Sequence, residues 1–277
     1  MITVALTRLA ISPRADRDLT IRDDERDFRF LDDEWLKKRA QLFTRFALAG
    51  MVGQVVPPNL WLIAVDYRHE DQVGFLRDKL PPYAELVALG EHELFPEMVR
   101  TRTAAFSTDV LTLRLDADDW VDPSFVARAA ELSRPNRAIN FPHGAQYFDV
   151  DGALIHRWIR SNPMVGFRAV GTDLNVHDFG NHPNVGRTAR TISIPTWRPM
   201  WVKTAHSANH VYFQPRGVPV LFARRLRAKF GIREAVSVDG VSANVRMFVS
   251  FLGLLLNRKW PSLTKSLKRL RARIGSR

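Results

Sequence analysis

The stretch VLTLRLDADDWVDPSF, Val110 to Phe125, decides how this chain folds. From Val110 to Leu115 apolar and polar side chains alternate, the period of a strand with one face buried. The run then ends on Asp116, Asp118 and Asp119, three acids within four residues. Asp122 and Pro123 follow, a cap and a first-turn proline for a helix over DPSFVARAAEL. The unit is therefore a strand, an acidic turn and a helix. Carboxylates this close repel one another, and a bound cation is one way to offset the repulsion.

Working outward, the same unit recurs on the N-terminal side. ITVALTRLAI reads as a first strand, rich in β-branched and aliphatic residues. LDDEWLKKRAQLFTRFALAGMVGQ is a helix, capped by Asp32 or Asp33, with Trp35, Leu36, Arg39, Leu42, Phe43 and Phe46 at three-and-four spacing. Pro57 and Pro58 break it, NLWLIAVD is a second strand, EDQVGFLRDKL a short helix, AELVALG a third strand and ELFPEMVRTRTAAF a helix. Strands alternating with helices predict an α/β domain with a mostly parallel central sheet and helices on both faces. Ligands of such sheets bind beyond the carboxyl ends of the strands. Asp66 and Asp116 end the second and fourth strands, so the acids are expected on that edge. After Asn136 the pattern changes. AINFPHGAQYFDVDGALIHRWI predicts two strands joined by a tight turn at Asp151 and Gly152, and GTDLNVHDFGNHPNVGRTART a functional loop.

The chain has 277 residues, 45% hydrophobic and 25% charged, the balance of an ordinary folded domain rather than a disordered one. It has no cysteine, which excludes disulfides and thiolate zinc sites. MITVALTRLAISPRAD lacks the basic start and long apolar core of a secretory signal. MFVSFLGLLL, with ten residues, suits a buried or interfacial helix rather than a spanning one. Net charge is +12, unevenly placed: 14 of the 41 Lys and Arg, but only 2 of the 29 Asp and Glu, lie from Gly217 onward. The last 61 residues thus hold the whole excess, and the rest is balanced. The expected organisation is one domain over residues 1–216 and a basic helical extension over 217–277.

Several chemistries use clustered acids. An EF-hand loop counted from Asp116 fails, because its sixth residue is Val121 rather than Gly and its twelfth is Ala127 rather than Glu. An aspartyl phosphatase would place its Asp-x-Asp after the first strand, not the fourth. Asp119 and Asp122 also suit helix capping alone. The remaining reading is an Asp-x-Asp metal site for Mg²⁺ or Mn²⁺, hard ions that keep open positions for phosphate oxygens. Such an ion neutralises the charge that builds on a departing diphosphate, as transfer from a sugar nucleotide requires.

With these residues in view, the chain resembles GT-A type glycosyltransferases, and among them a rhamnosyltransferase-like bacterial family. The matching stretches are ITVALTRLAI, WLKKRAQLFTRFAL, LWLIAVD, LTLRLDADD and WVKTAHSANHVY. The resemblance implies a Rossmann-like GT-A fold. It places Thr7 and Arg8 at the nucleotide end of the first strand, Asp66 near the base or ribose, and Arg114 and Asp116 on the nucleotide. It assigns the metal to Asp118, with Asp119, and to a late histidine, His206, with His210 as the alternative.

An inverting transferase also needs a base for the acceptor hydroxyl; Asp173 and Asp178 are candidates, Asp178 first because His177 and His182 stand near it. The expected partners are a nucleotide-sugar donor and a glycan or lipid-linked acceptor. RRLRAKFGIR, NRKW and KSLKRLRARIGSR interleave basic and apolar residues, the pattern of a segment that lies on an anionic membrane through residues 217–277. Such an enzyme is expected in the cytoplasm, on the inner face of the membrane. The rival classes are a protein that binds sugar nucleotide without turnover and a basic nucleic-acid-binding protein. The balanced first domain and the absence of a recognition motif speak against nucleic acid.

Overall fold

A computed structural model describes residues 1–11, 15, 33–106, 109–148, 154–158, 164–180, 184–185, 188–205, 218–219 and 230. Strand β1 (Ile2–Ala10) is flanked by β2 (Leu60–Asp66) and β4 (Asp109–Asp116), and β2 by β3 (Ala84–Leu89), all parallel. β9 (Val165–Val170) runs antiparallel between β4 and β6 (Arg137–Asn140), and β10 (Thr191–Ser193) closes the edge. The order β10-β6-β9-β4-β1-β2-β3 gives the expected mostly parallel sheet.

Alternation along the strands builds a core on each face. Ala5, Leu9, Ile63, Leu113 and Leu115 point to one side, where helices α1 (Asp33–Phe43), α2 (Ala49–Val52) and α5 (Phe125–Leu132) pack, α3 (Glu70–Val73) lying at its margin. Five residues in a wider π turn, Thr44–Leu48, join α1 to α2. Val4, Leu6, Leu62 and Ala64 point to the other side, under α4 (Phe95–Thr103) and Val176. Helices cover both faces, as the alternating sequence predicts.

A second sheet was not foreseen. The stretch expected to give two strands gives three. It breaks at Phe141 and Pro142, so that β6 stays in the large sheet while β7 (His143–Phe148) and β8 (Leu154–Trp158) pair antiparallel elsewhere. The turn at Asp151 and Gly152 lies outside the described residues. β11 (Trp201–Ala205) runs parallel to β7 and antiparallel to the two-residue β5 (Trp120–Val121). β12 (Val218–Pro219) pairs with β8, and Phe230 is buried with Leu42, Phe46, Trp120 and Tyr147. Beyond residue 216 the described residues Val218, Pro219 and Phe230 thus reach this sheet and its core, and the rest of 217–277 lies outside the described residues.

β7 and β11 approach so closely that position 144 admits no side chain. A Cβ on Gly144 would stand 2.2 Å from Trp201 ring carbons, and that ring is fully buried and held by its Nε1–H on the Phe141 carbonyl at 2.8 Å. Gly144→Ala should destabilise the protein by about 3 kcal/mol, read as a lowered urea midpoint with an unchanged slope.

Candidate active site

β4 leaves the large sheet at Asp116, and β5 enters the small sheet at Trp120. The acidic turn is thus a covalent step from one sheet to the other, and it sits at the carboxyl edge of the parallel strands. Arg8 lies opposite Asp116 in the β1·β4 register, its guanidinium 3.7 Å from Asp116 Oδ1. Arg114 Nε stands 3.4 Å from the same oxygen, with the residue only 2% exposed. The structure thus brings Arg8, Arg114 and Asp116, three of the residues the resemblance pointed to, together. Two guanidiniums fixed at a strand edge are suited to phosphate oxygens.

Asp118 and Asp119 are held by β11. The backbone N–H of Thr204 donates to Asp119 Oδ1 at 2.8 Å, and the Thr204 hydroxyl donates to the Asp118 carbonyl. Asp119 is 1% exposed, and its second oxygen, Oδ2, is buried without a hydrogen-bond partner. Burial, then the negative charge of Asp118, pushes its carboxyl well above the usual range; Lys203 and the Thr204 N–H offset only part of this. Burial pulls the Lys203 ammonium down, but the charges of Asp119, Asp116 and Asp118 outweigh it and hold it above its ordinary value. Lys203 is the charged neighbour of the acids that reading the sequence did not single out. Its signal was a lone lysine between Val202 and Thr204, both fully buried, in a strand.

Among the described residues no three His, Asp or Glu side chains stand close enough to hold a metal ion. Two donors nonetheless fit one. Asp118 is half-buried at the turn, and the bare Oδ2 of Asp119 lies among like charges that a hard cation would offset. The third expected donor, His206, follows β11 directly and lies outside the described residues, as do His182 and His210.

Other expected residues sit differently. Asp66 does end β2 at the carboxyl edge, but Arg68 grips it with Nε at 2.8 Å and Nη2 at 3.1 Å. Thr7 is corrected: it points into the α1 face, fully buried, and its hydroxyl accepts the Trp61 indole N–H at 2.9 Å, inside the core rather than at the strand edge. Asp178 is corrected too. Its Oδ1 is 2.6 Å from Arg100 on α4, and its Oδ2 accepts the N–H of Asn175, capping the 3₁₀ turn Val176–Phe179. With both oxygens engaged it is a poor base. The turn rests on the middle of β4, where Val176 N–H donates to Thr112, rather than at the strand end. Asp173 is mostly exposed, 4.0 Å from the same Arg100. His177 packs edge-on against Phe95 in the interior.

Residues 5–215 match the protein family described as "Putative rhamnosyl transferase". The chain belongs to this family. Solved structures show only distant likeness. Mannose-6-phosphate isomerase from Helicobacter pylori is 8% identical, with a TM-score of 0.30, over 55% of this chain and 52% of that one. TarS residues 1–349 from S. aureus is 10% identical, with a TM-score of 0.38, over 74% of this chain and 60% of that one. The mannosyltransferase PcManGT from Pyrobaculum calidifontis, in complex with GDP-Man and Mn²⁺, is 12% identical, with a TM-score of 0.38, over all of this chain and 80% of that one. The chain thus spans between half and two thirds of the first two proteins. No curated protein sequence matches it.

Two outcomes follow from these contacts. Asp178→Asn should lower stability by about 1–2 kcal/mol through loss of the Arg100 pair, while the folded fraction keeps its turnover; a large loss of kcat at unchanged stability would restore Asp178 as base. Asp119 binds its proton more tightly folded than unfolded. Its contribution to metal-free stability is full below the unfolded value of 3.8 and is lost as pH rises through the raised folded value. Thermal melts of Asp119→Asn against wild type should therefore show the variant gaining relative stability from acid to neutral pH.

Proposed function

We propose that the protein transfers a hexosyl group, with rhamnose the first sugar to test, from a nucleoside diphosphate sugar to a hydroxyl of a glycan or lipid-linked acceptor, using Mn²⁺ or Mg²⁺. The observation that carries this reading is the set of Arg8, Arg114 and Asp116 at the carboxyl edge, one turn residue away from Asp118 and Asp119. Family membership supports the sugar.

In this reading the guanidiniums of Arg8 and Arg114 receive the diphosphate and are kept in place by Asp116. Asp118 and Asp119 would hold the divalent ion, whose chemistry is to neutralise charge on the leaving diphosphate. Before donor arrives, Lys203 offsets part of the repulsion among the acids. Thr204 fixes the turn on the second sheet, so the donors need little rearrangement when the charge develops. The enzyme works in the cytoplasm, at the inner face of the membrane, where lipid-linked acceptors are exposed.

Thermal melts with UDP, GDP and dTDP, each with and without Mn²⁺, test the donor and the ion together. A cognate nucleotide at a hundred times its Kd should stabilise the protein by about 2.7 kcal/mol. Asp118→Asn should abolish the Mn²⁺-dependent part of that shift and the turnover, leaving the melt of the free protein near wild type. An Mn²⁺-dependent shift retained in the variant would remove Asp118 from the site.

A further inference from the structure

The end of the small sheet opposite the acidic turn is built unlike the rest of the surface. His143 begins β7, and its ring stacks on Trp158 of β8 with centroids 3.9 Å apart. Its Nδ1–H meets the Thr196 carbonyl at 2.8 Å, next to Trp197. Trp158 is 64% exposed and Trp197 100%. Trp197 also lines a concavity of about 490 Å³ that it shares with Val55, Arg128 and Arg198. Val55 is 74% exposed, and Val56 beside it 51%. Val55 is brought here because its N–H donates to the Pro123 carbonyl at 2.8 Å. One bare indole and one bare valine thus share the concavity with two exposed arginines, Val56 stands beside Val55, and Trp158 is joined to the same rim through His143 and Thr196; neither guanidinium has an ion-pair partner among the described residues.

Leaving two tryptophans in water sacrifices a large burial energy, so a face that does this has a partner. The sign of the charge selects it. Residues from Gly217 onward carry the whole net +12, so a second copy of the chain is not electrically suited to a face bearing Arg128 and Arg198, and the segment itself meets this sheet on β8 through Val218 and Pro219. An anionic polymer such as a nucleic acid would meet the arginines but not the valines. Indole, valine and arginine on one face match a lipid interface, where indoles sit at headgroup depth and guanidiniums meet anionic headgroups.

We infer that this end of the small sheet is a docking face for anionic lipid, with Trp158 and Trp197 at the boundary of headgroups and acyl chains. Met200 and Thr204 are four residues apart on the β11 segment, so the acidic turn stands about 13 Å from this face. A lipid-linked acceptor would be within reach at that distance; this last point rests on the transferase reading, whereas the docking itself does not.

The test uses the full chain and vesicles of phosphatidylcholine with or without phosphatidylglycerol. Trp197→Ser, at a site with no packing to lose, should lower partitioning onto phosphatidylglycerol vesicles about tenfold. Arg128→Gln with Arg198→Gln should lower it about tenfold at low salt, and leave phosphatidylcholine binding unchanged. Acyl chains brominated near the headgroup should quench tryptophan emission in wild type and less in Trp197→Phe. Binding of Trp197→Ser equal to wild type would assign attachment to the C-terminal segment alone and overturn the inference. Equal quenching in Trp197→Phe would do the same, as would displacement of protein from vesicles by duplex DNA at equal charge. The nucleotide-induced shift in melting should be the same in Trp197→Ser and wild type; its absence from both would count against the donor reading and leave the docking result standing.

Discussion

The structure turns on one buried carboxylate. Asp119 sits at the point where the chain steps from one sheet to the other, and it accepts the Thr204 N–H from a strand 85 residues further on. Such a contact costs desolvation, which is why the carboxyl is driven toward its protonated form. What it secures is position. The turn cannot slide along β11 without breaking that bond and the Thr204 hydroxyl contact to Asp118. The two sheets are therefore fixed to one another where the acids lie, and Asp118 inherits a defined place at the rim.

Around that turn, charge is matched in kind. Asp116 faces Arg8 and Arg114, and the three acids together bear on Lys203. A site prepared in this way keeps its cations pointed at the edge before any anion comes, which is how fixed dipoles and charges favour a charged transition state over water. The same matching removes residues from consideration. Asp66, tied by Arg68, and Asp178, tied by Arg100, have their oxygens already in use. A free carboxylate and a paired one look identical in a sequence, and only the partner distinguishes them.

That difference marks what could be read beforehand. The parallel strands were legible because each is a short apolar or alternating run bounded by turn residues, as a strand buried on one or both faces requires, and the acids because they end such strands. Arg8 stands opposite Asp116 through the parallel register of β1 on β4, a pairing that the resemblance named by residue but that no local pattern gives. Thr7 was placed by resemblance at the strand end, whereas it stands three residues inside β1, where the Trp61 indole from a strand 54 residues distant engages its hydroxyl. The small sheet was missed for a similar reason. β5 has two residues, β11 five, and β7 pairs with β11 across a long intervening chain, so no local period announces them. Lys203 and the Asp178 pairing belong to the same class of long-range contact.

The C-terminal residues show why charge is a poor guide to where a domain ends. Net charge changes sharply at Gly217, and on composition alone the segment beyond is a separate object. Yet Val218 and Pro219 extend the small sheet at β8, and Phe230 enters the cluster that holds Trp120 and Phe46, whose ring centroids are 3.9 Å apart. Trp120 is the residue next to Asp119. The packing that supports the acidic turn from behind is thus partly supplied by the basic segment. Solvation governs the charge of a segment, while apolar contact governs its attachment, and the two need not change at the same residue.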